Sequence, residues 1–288
     1  MESKLLNIIN NQYYNSAWKG HFEFAIWLIK KIKPEIIVEL GVDYGHSTFA
    51  LAAGKYGTIY GIDCFEGDIQ AGYRDTFEIV HEMKNKLINE GLINDNLNFI
   101  KGYFSEVAKS FNKDIDLLHI DGLHSYEAVK EDFYTWISKT KTNGIILFHD
   151  VVSYPDTVGR LFNEIPFSKY YFSHSAGLGI MCENSDLLDK IMRSEDLPNN
   201  NYLYKVSGTF NQRYQILYGI DSNIIDITHV SLYKCRNKNK IIIPSDDNIR
   251  AQIFGDPIFG IVKNIIVFDK IRNKKNVYND QTEIILLI

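Results

Sequence analysis

The chain has 288 residues, 45% hydrophobic and 23% charged, close to the averages of soluble globular proteins, so it can bury a sizeable core and long disordered tracts are not expected. Its 31 basic and 36 acidic residues leave a formal charge of −5, which argues against the electrostatic footprint of a nucleic-acid or anionic-membrane binder and points to a small-molecule partner. Cys64, Cys182 and Cys235 form no CxxC pair, and no run approaches a membrane span of ~20 apolar residues or a signal peptide, so a zinc cluster and a disulfide framework are not expected and the protein reads as cytoplasmic.

Apolar residues from Phe22 to Ile32 recur at three- and four-residue steps, which predicts an amphipathic helix that Pro34 stops. Ile36-Ile37-Val38 is then a wholly apolar, β-branched run, suited to a strand buried on both faces of a parallel sheet. Short runs at Thr58–Asp63, Leu97–Ile100, Ile115–Asp121 and Gly144–Asp150 read as further strands, with helices between them. Among these, Thr76–Glu90 is closed by Gly91, and Ser125–Lys141 is capped by Ser125 and carries one apolar stripe. A helix at Val158–Ile165 and strands at Lys169–Ser173 and Leu178–Cys182 complete a doubly wound, mostly parallel, Rossmann-like α/β sheet of seven strands.

The signal weakens beyond Glu183. Helices are expected at Asp186–Arg193 and Gly208–Tyr218, with a boundary at Pro198–Asn201 that separates a domain of residues 1–198 from residues 199–288. Strands at Ile224–Ile227, Ile241–Ile243, Ile261–Phe268 and Glu283–Ile288 would make the tail a small β-rich appendage, for which a structural or partner-binding role is the plainer reading.

The first strand runs into Glu39-Leu40-Gly41-Val42-Asp43-Tyr44-Gly45-His46-Ser47-Thr48. Gly41 and Gly45 permit a tight turn and close approach of a ligand to the backbone, and Ser47 or Thr48 can cap a helix over Phe49–Lys55. Asp63 ends the next strand, where a carboxylate can accept both hydroxyls of a ribose. A dinucleotide is disfavoured, because Asp43 stands where the GxGxxG pattern needs its second glycine and Glu39 brings negative charge to the pyrophosphate position. That same charge suits the ammonium of a nucleoside bearing an amino acid.

The fourth and fifth strands end in His119-Ile120-Asp121-Gly122-Leu123-His124 and Phe148-His149-Asp150. If they are neighbours, about 4.8 Å apart, Asp121 and Asp150 face one another and need a proton or a cation between them, for which magnesium or another hard divalent ion is suited. His149 either joins that shell or stays outside it. His124 sits where it can take a proton from a substrate hydroxyl, whereas His119, inside an apolar strand, reads as packing.

The segments WKGHFEFAIWLIKKIKPEIIVELGVDYGHSTFALA, YGIDCFEGDIQAGY, IDLLHIDGLHSYEAVKEDFYTW and GIILFHDVV, in this order over residues 18–182, resemble class I S-adenosylmethionine (SAM) methyltransferase domains of the Methyltransferase 24 kind, found with glycosyltransferases in bacterial cell-surface polysaccharide clusters. The resemblance implies a SAM site of Glu39, Gly41, Gly45, Ser47 and Asp63, with Phe65, Tyr103 and Phe104 around the adenine. Asp121, His124 and Asp150 are similar to the magnesium ligands and base of metal-dependent sugar O-methyltransferases, which implies O-methylation of a sugar or glycan precursor, Asp121 and Asp150 as metal ligands with His149 beside them, and His124 with Asp121 as the catalytic pair. Those enzymes end the fifth strand in two acids, whereas this chain has His149-Asp150, so metal-dependent and metal-free transfer both stay open. A glycosyltransferase or a second copy of the chain is the protein partner to expect. The alternative function is a non-catalytic SAM- or nucleotide-binding scaffold in polysaccharide assembly.

Overall fold

The computed structural model describes residues 2–12, 16–70, 72–206, 213–237 and 240–287. The chain divides into two compact units: residues 1–164, 169–182 and 187–206 form the first, and residues 165–168, 183–186 and 207–288 the second.

The first unit is built on strands β1 (Ile36–Leu40), β2 (Thr58–Asp63), β3 (Leu97–Lys101), β4 (Ile115–Ile120), β5 (Thr140–His149), β6 (Ser168–Phe172), β7 (Leu178–Cys182) and β8 (Leu203–Val206). They lie in the order β8-β6-β7-β5-β4-β1-β2-β3. Strands β3, β2, β1, β4 and β5 are parallel, while β7 runs antiparallel to β5 and β8 to β6. Strand order therefore reverses at β1 and β4, and the crevice beyond their carboxyl ends is where such sheets receive ligands.

Period-two side chains divide the core between two helical layers. Ile37, Leu117, Ile145 and Leu147 share one buried cluster with Phe22, Ile29 and Leu51 from α2 (Phe22–Ile32) and α3 (His46–Ala53). On the other face Phe148 meets Phe133 of α6 (Tyr126–Ile137) and Phe162 of α7 (Val158–Glu164), at ring distances of 5.9 and 6.0 Å. The remaining helices of this unit are α1 (Glu2–Gln12), α4 (Phe77–Asn89), α5 (Phe104–Ser110) and α8 (Ser185–Met192).

Four expectations are corrected. The sheet has eight strands rather than seven, because β8 pairs along β6 at the edge. The helix foreseen to Lys141 ends at Ile137, since Thr140 already pairs with Ile115 and starts a ten-residue strand. Helix α3 begins at His46 with Gly45 as its cap at φ +79°, so Ser47 and Thr48 lie inside the first turn and are buried. Within the foreseen helix Gly208–Tyr218, residues 208–212 lie outside the described residues and Tyr214–Ile220 is a strand, its alternate residues Tyr214, Ile216 and Tyr218 facing a core.

The second unit holds an antiparallel four-stranded sheet, Asn223–Asp226, Tyr214–Ile220, Asn264–Asp269 and Lys274–Tyr278, and a three-stranded sheet of Arg236–Asn237, Lys240–Ile243 and Ile284–Leu287. Its fully buried Arg250 donates to the carbonyls of Pro244, Asn279 and Thr282, which satisfies a buried guanidinium with backbone alone. Among the described residues, no helix is long and apolar enough to cross a membrane.

Candidate functional site

A cavity of about 470 Å³ opens beyond the carboxyl ends of β1, β2 and β4, inside the range of roughly 300–1,000 Å³ usual for small-molecule sites. Gly41, Val42 and Asp43 form one wall, Asp63 and Cys64 the next, Gly102 to Phe104 another, and Asp121 to His124 with His149 and Asp150 close it.

Gly41 sits at φ +94°, and a Cβ there would lie 2.0 Å from the carbonyl oxygen of Asp121. The β1 turn and the β4 loop thus touch through bare backbone, which only glycine allows. Asp63 organises the same turn: its Oδ2 accepts from the backbone N–H of Val42 (2.7 Å) and Asp43 (3.0 Å), and its Oδ1 from that of Phe65 (2.7 Å). With the Cys64 thiol also hydrogen-bonded to it, these donors take up most of the roughly four acceptor positions of the carboxylate.

Two further residues are placed differently from the expectation. Glu39 is fully buried: one oxygen receives the Thr48 hydroxyl and the other meets His119 Nδ1 at 2.9 Å, and the carboxylate does not line the cavity. It therefore ties β1 to α3 and β4 rather than waiting for an ammonium group. Phe65, at φ +58°, turns its ring into the core against Phe77 and Phe99 instead of the cavity. Gly45 and Ser47 shape α3 without lining the cavity. Tyr103 and Phe104 do line it, with Tyr103 at 68% exposure at the start of α5.

At the other end four side chains converge. His149 Nδ1 lies 3.0 Å from Asp150 Oδ2 and 3.3 Å from Asp121 Oδ1, and its Nε2 donates to the carbonyl of Ser175 at 3.2 Å. Burial works to lower the His149 pKa, but the Asp121 charge and the hydrogen bonds to both carboxylates outweigh it and push it up to about 10. His149 is thus an imidazolium lodged between two acids. Burial alone would raise both carboxylates; the charge and hydrogen bond of His149 hold Asp121 below its ordinary range, and hydrogen bonds from His124 and His149 hold Asp150 well below it. His124 Nε2 contacts Asp150 Oδ2 at 2.9 Å, and its ring stacks on Tyr154 at 4.2 Å. Burial opposes protonation of His124, and the hydrogen bond and charge of Asp150 reverse this and raise its pKa.

One ligand atom from each of Asp121, His124 and Asp150 falls within 4.8 Å of the others, a spacing that one divalent ion can span, and hard oxygens suit magnesium or manganese. His149, also expected around a metal, is not part of that group: its Nδ1 faces the two carboxylates and its Nε2 the carbonyl of Ser175.

Three features of this site were not foreseen in the sequence. Trp18 lines the cavity and donates Nε1–H to Asp121 Oδ2 at 2.9 Å. Arg74 pairs with Asp43 at 2.7 Å and lies over the Tyr44 ring. Gln70, on the short hairpin of Gly67–Asp68 and Gly72–Tyr73, accepts the backbone N–H of His124 at 3.0 Å. Each is a contact across at least 30 positions of chain, with no local periodicity to betray it.

Residues 38–151 match the family described as "Methyltransferase domain". An uncharacterised protein of Sinorhizobium fredii is 36% identical over 155 residues, which cover 51% of this chain and 17% of that protein. The chain thus spans about a sixth of the length of this curated relative. Among solved structures, the S-adenosylhomocysteine (SAH)-bound methyltransferase PaMTH1 of Podospora anserina is similar at 15% identity and a TM-score of 0.46, over 63% of this chain and 86% of that one. The O-methyltransferase of Bacillus cereus in complex with SAH is similar at 14% identity and a TM-score of 0.45, over 62% and 89%.

Proposed function

We propose that this chain, whose residues 38–151 match a methyltransferase domain, transfers the methyl group of SAM to a hydroxyl oxygen of a sugar or glycan precursor. The observation that carries the reading is that the Gly41 turn, Asp63 and the Asp121–His124–Asp150 group line one cavity at the reversal point of the sheet. Gly41, where the β1 turn meets the β4 loop, lines the cavity beside the amino-acid arm of the nucleoside, Asp63 offers its remaining acceptor capacity to the ribose, and Tyr103 and Phe104 flank the adenine.

The sulfonium already activates the methyl group, so the protein contributes chiefly alignment and removal of one proton. The S–CH₃ bond breaks as the new O–CH₃ bond forms, and the hydroxyl proton passes to His124 Nδ1, while Nε2–H donates to Asp150 Oδ2. Asp150 Oδ2, 2.9 Å away, stabilises the imidazolium, and stacked Tyr154 keeps the ring in place. A divalent ion held by Asp121 and Asp150 would bind and acidify the acceptor hydroxyl.

The test is transfer of label from methyl-tritiated SAM to a polysaccharide-precursor extract. The expected result is label in an O-methylated sugar, with His124→Ala slowing transfer by roughly 10²–10⁴-fold. Label confined to nitrogen, or none at all in the presence of the extract, contradicts the proposal.

A further inference from the structure

The segment before the domain core also enters the site. Ser16 Oγ accepts the backbone N–H of Trp18 at 3.2 Å and opens a 3-10 turn, Ala17–His21, whose residue Gly20 packs so tightly on the β6–β7 loop that a Cβ would lie 2.0 Å from Ser175 Oγ. That turn delivers Trp18, 2% exposed, into a box of three imidazoles: His119 at 4.8 Å and His21 at 5.6 Å edge-on, and His149 at 5.5 Å at 31°. The ring cannot swing there without displacing all three.

Its one polar atom points at Asp121 Oδ2, while Oδ1 faces His149 Nδ1. The two oxygens are therefore held by donors of different kinds. An indole N–H is donor-only and neutral, so it fixes the carboxylate plane without cancelling the charge that a cation needs. Trp18 Nε1–H occupies one lone pair of Oδ2 and leaves the other available.

We infer that Trp18 is a positioning residue that orients Asp121 toward the cation side of the cavity, so that the 3-10 turn at 17–21 belongs to the working site. The inference rests on the cation reading of Asp121 and Asp150 given above. Outer-shell donors of this sort typically change metal affinity by about 10–100-fold when removed.

The test uses the full chain with Mn²⁺ as the probe, followed by calorimetry in the presence of SAH. Trp18→Phe keeps an aromatic ring in the box and removes the N–H. The expected result is Mn²⁺ binding weakened about 10–100-fold, with SAH affinity little changed. A second measurement needs no variant: in the ¹⁵N-labelled wild-type chain, Mn²⁺ should broaden the indole resonance of Trp18, which touches Asp121, more strongly than those of Trp27 and Trp136. Mn²⁺ binding that is equal in Trp18→Phe and wild type, or that leaves all three indoles sharp, overturns the positioning role and leaves the cation reading standing. Failure of the wild type to bind Mn²⁺ overturns both, and SAH binding in the same titration would then show that the cofactor reading survives.

Discussion

Single residues decide how the two carboxylates coexist. A buried ion pair broken from one side leaves a costly unpaired charge, so His149→Ala should destabilise the fold by about 3 kcal/mol, read as a lowered urea midpoint with an unchanged slope; a midpoint like that of the wild type would show that His149 does not carry the charge assigned to it. Asp132 on α6 gives a pH-dependent case. Burial, helped by Glu131, raises its pKa to about 7, so the folded state keeps a proton that the unfolded chain loses near 3.8. The sign follows: stability is intact below the unfolded value, falls as pH rises between the two, and reaches its full penalty above about 7. Asp132→Asn should therefore leave stability unchanged near pH 3 and raise it by roughly 1–3 kcal/mol near pH 8, measured by denaturant unfolding at both; an equal effect at both pH values contradicts the assignment. The identities of Asp63, Asp121, His124 and Asp150 as candidates were legible in the sequence because strand ends are legible. The directions of their side chains were not. Glu39 and Phe65 turn inward because Thr48 and His119 claim one and a left-handed φ turns the other, neither of which leaves a mark on local pattern.

At the scale of elements, the β1 turn and the β4 loop act as one part because of Gly41. Gly41→Ala adds a methyl 2.0 Å from the Asp121 carbonyl at a left-handed φ, so backbone must move at both strand ends. The expected outcome is a loss of more than about 2 kcal/mol and of SAH binding, against about 1 kcal/mol and retained binding for Gly91→Ala, which shares the positive φ but meets nothing within 4 Å. Comparable thermal midpoints for the two variants would remove the close-contact argument. Helix α2 was readable to both ends, since its stripe and the following proline agree. Strand β8 was not: Leu203-Tyr204-Lys205-Val206 is four residues long and half exposed at a sheet edge, too short for alternation to stand out. Tyr214–Ile220 looked helical until its alternate residues met a core supplied by distant strands.

On the scale of the whole molecule, the parallel succession of short apolar runs identified a doubly wound sheet and hence the place where a ligand would lodge. The composition of the cavity depends on contacts made across the chain, such as Trp18 to Asp121 over 103 positions, and those come only with the folded structure. The second unit carries buried charges within itself: Arg213 pairs with Glu183 at 2.7 Å and with Asp269 at 2.5 Å, which specifies its interior polar contacts without offering chemistry. The central claim is that the crevice between β1, β2 and β4 holds a sulfur-bearing nucleoside. The direct measurement is calorimetric titration of SAH into the full chain beside Asp63→Ala. One bound SAH per chain, weakened about tenfold or more by the substitution, is the predicted result; absence of binding to the wild type, or equal affinity in both, would contradict it.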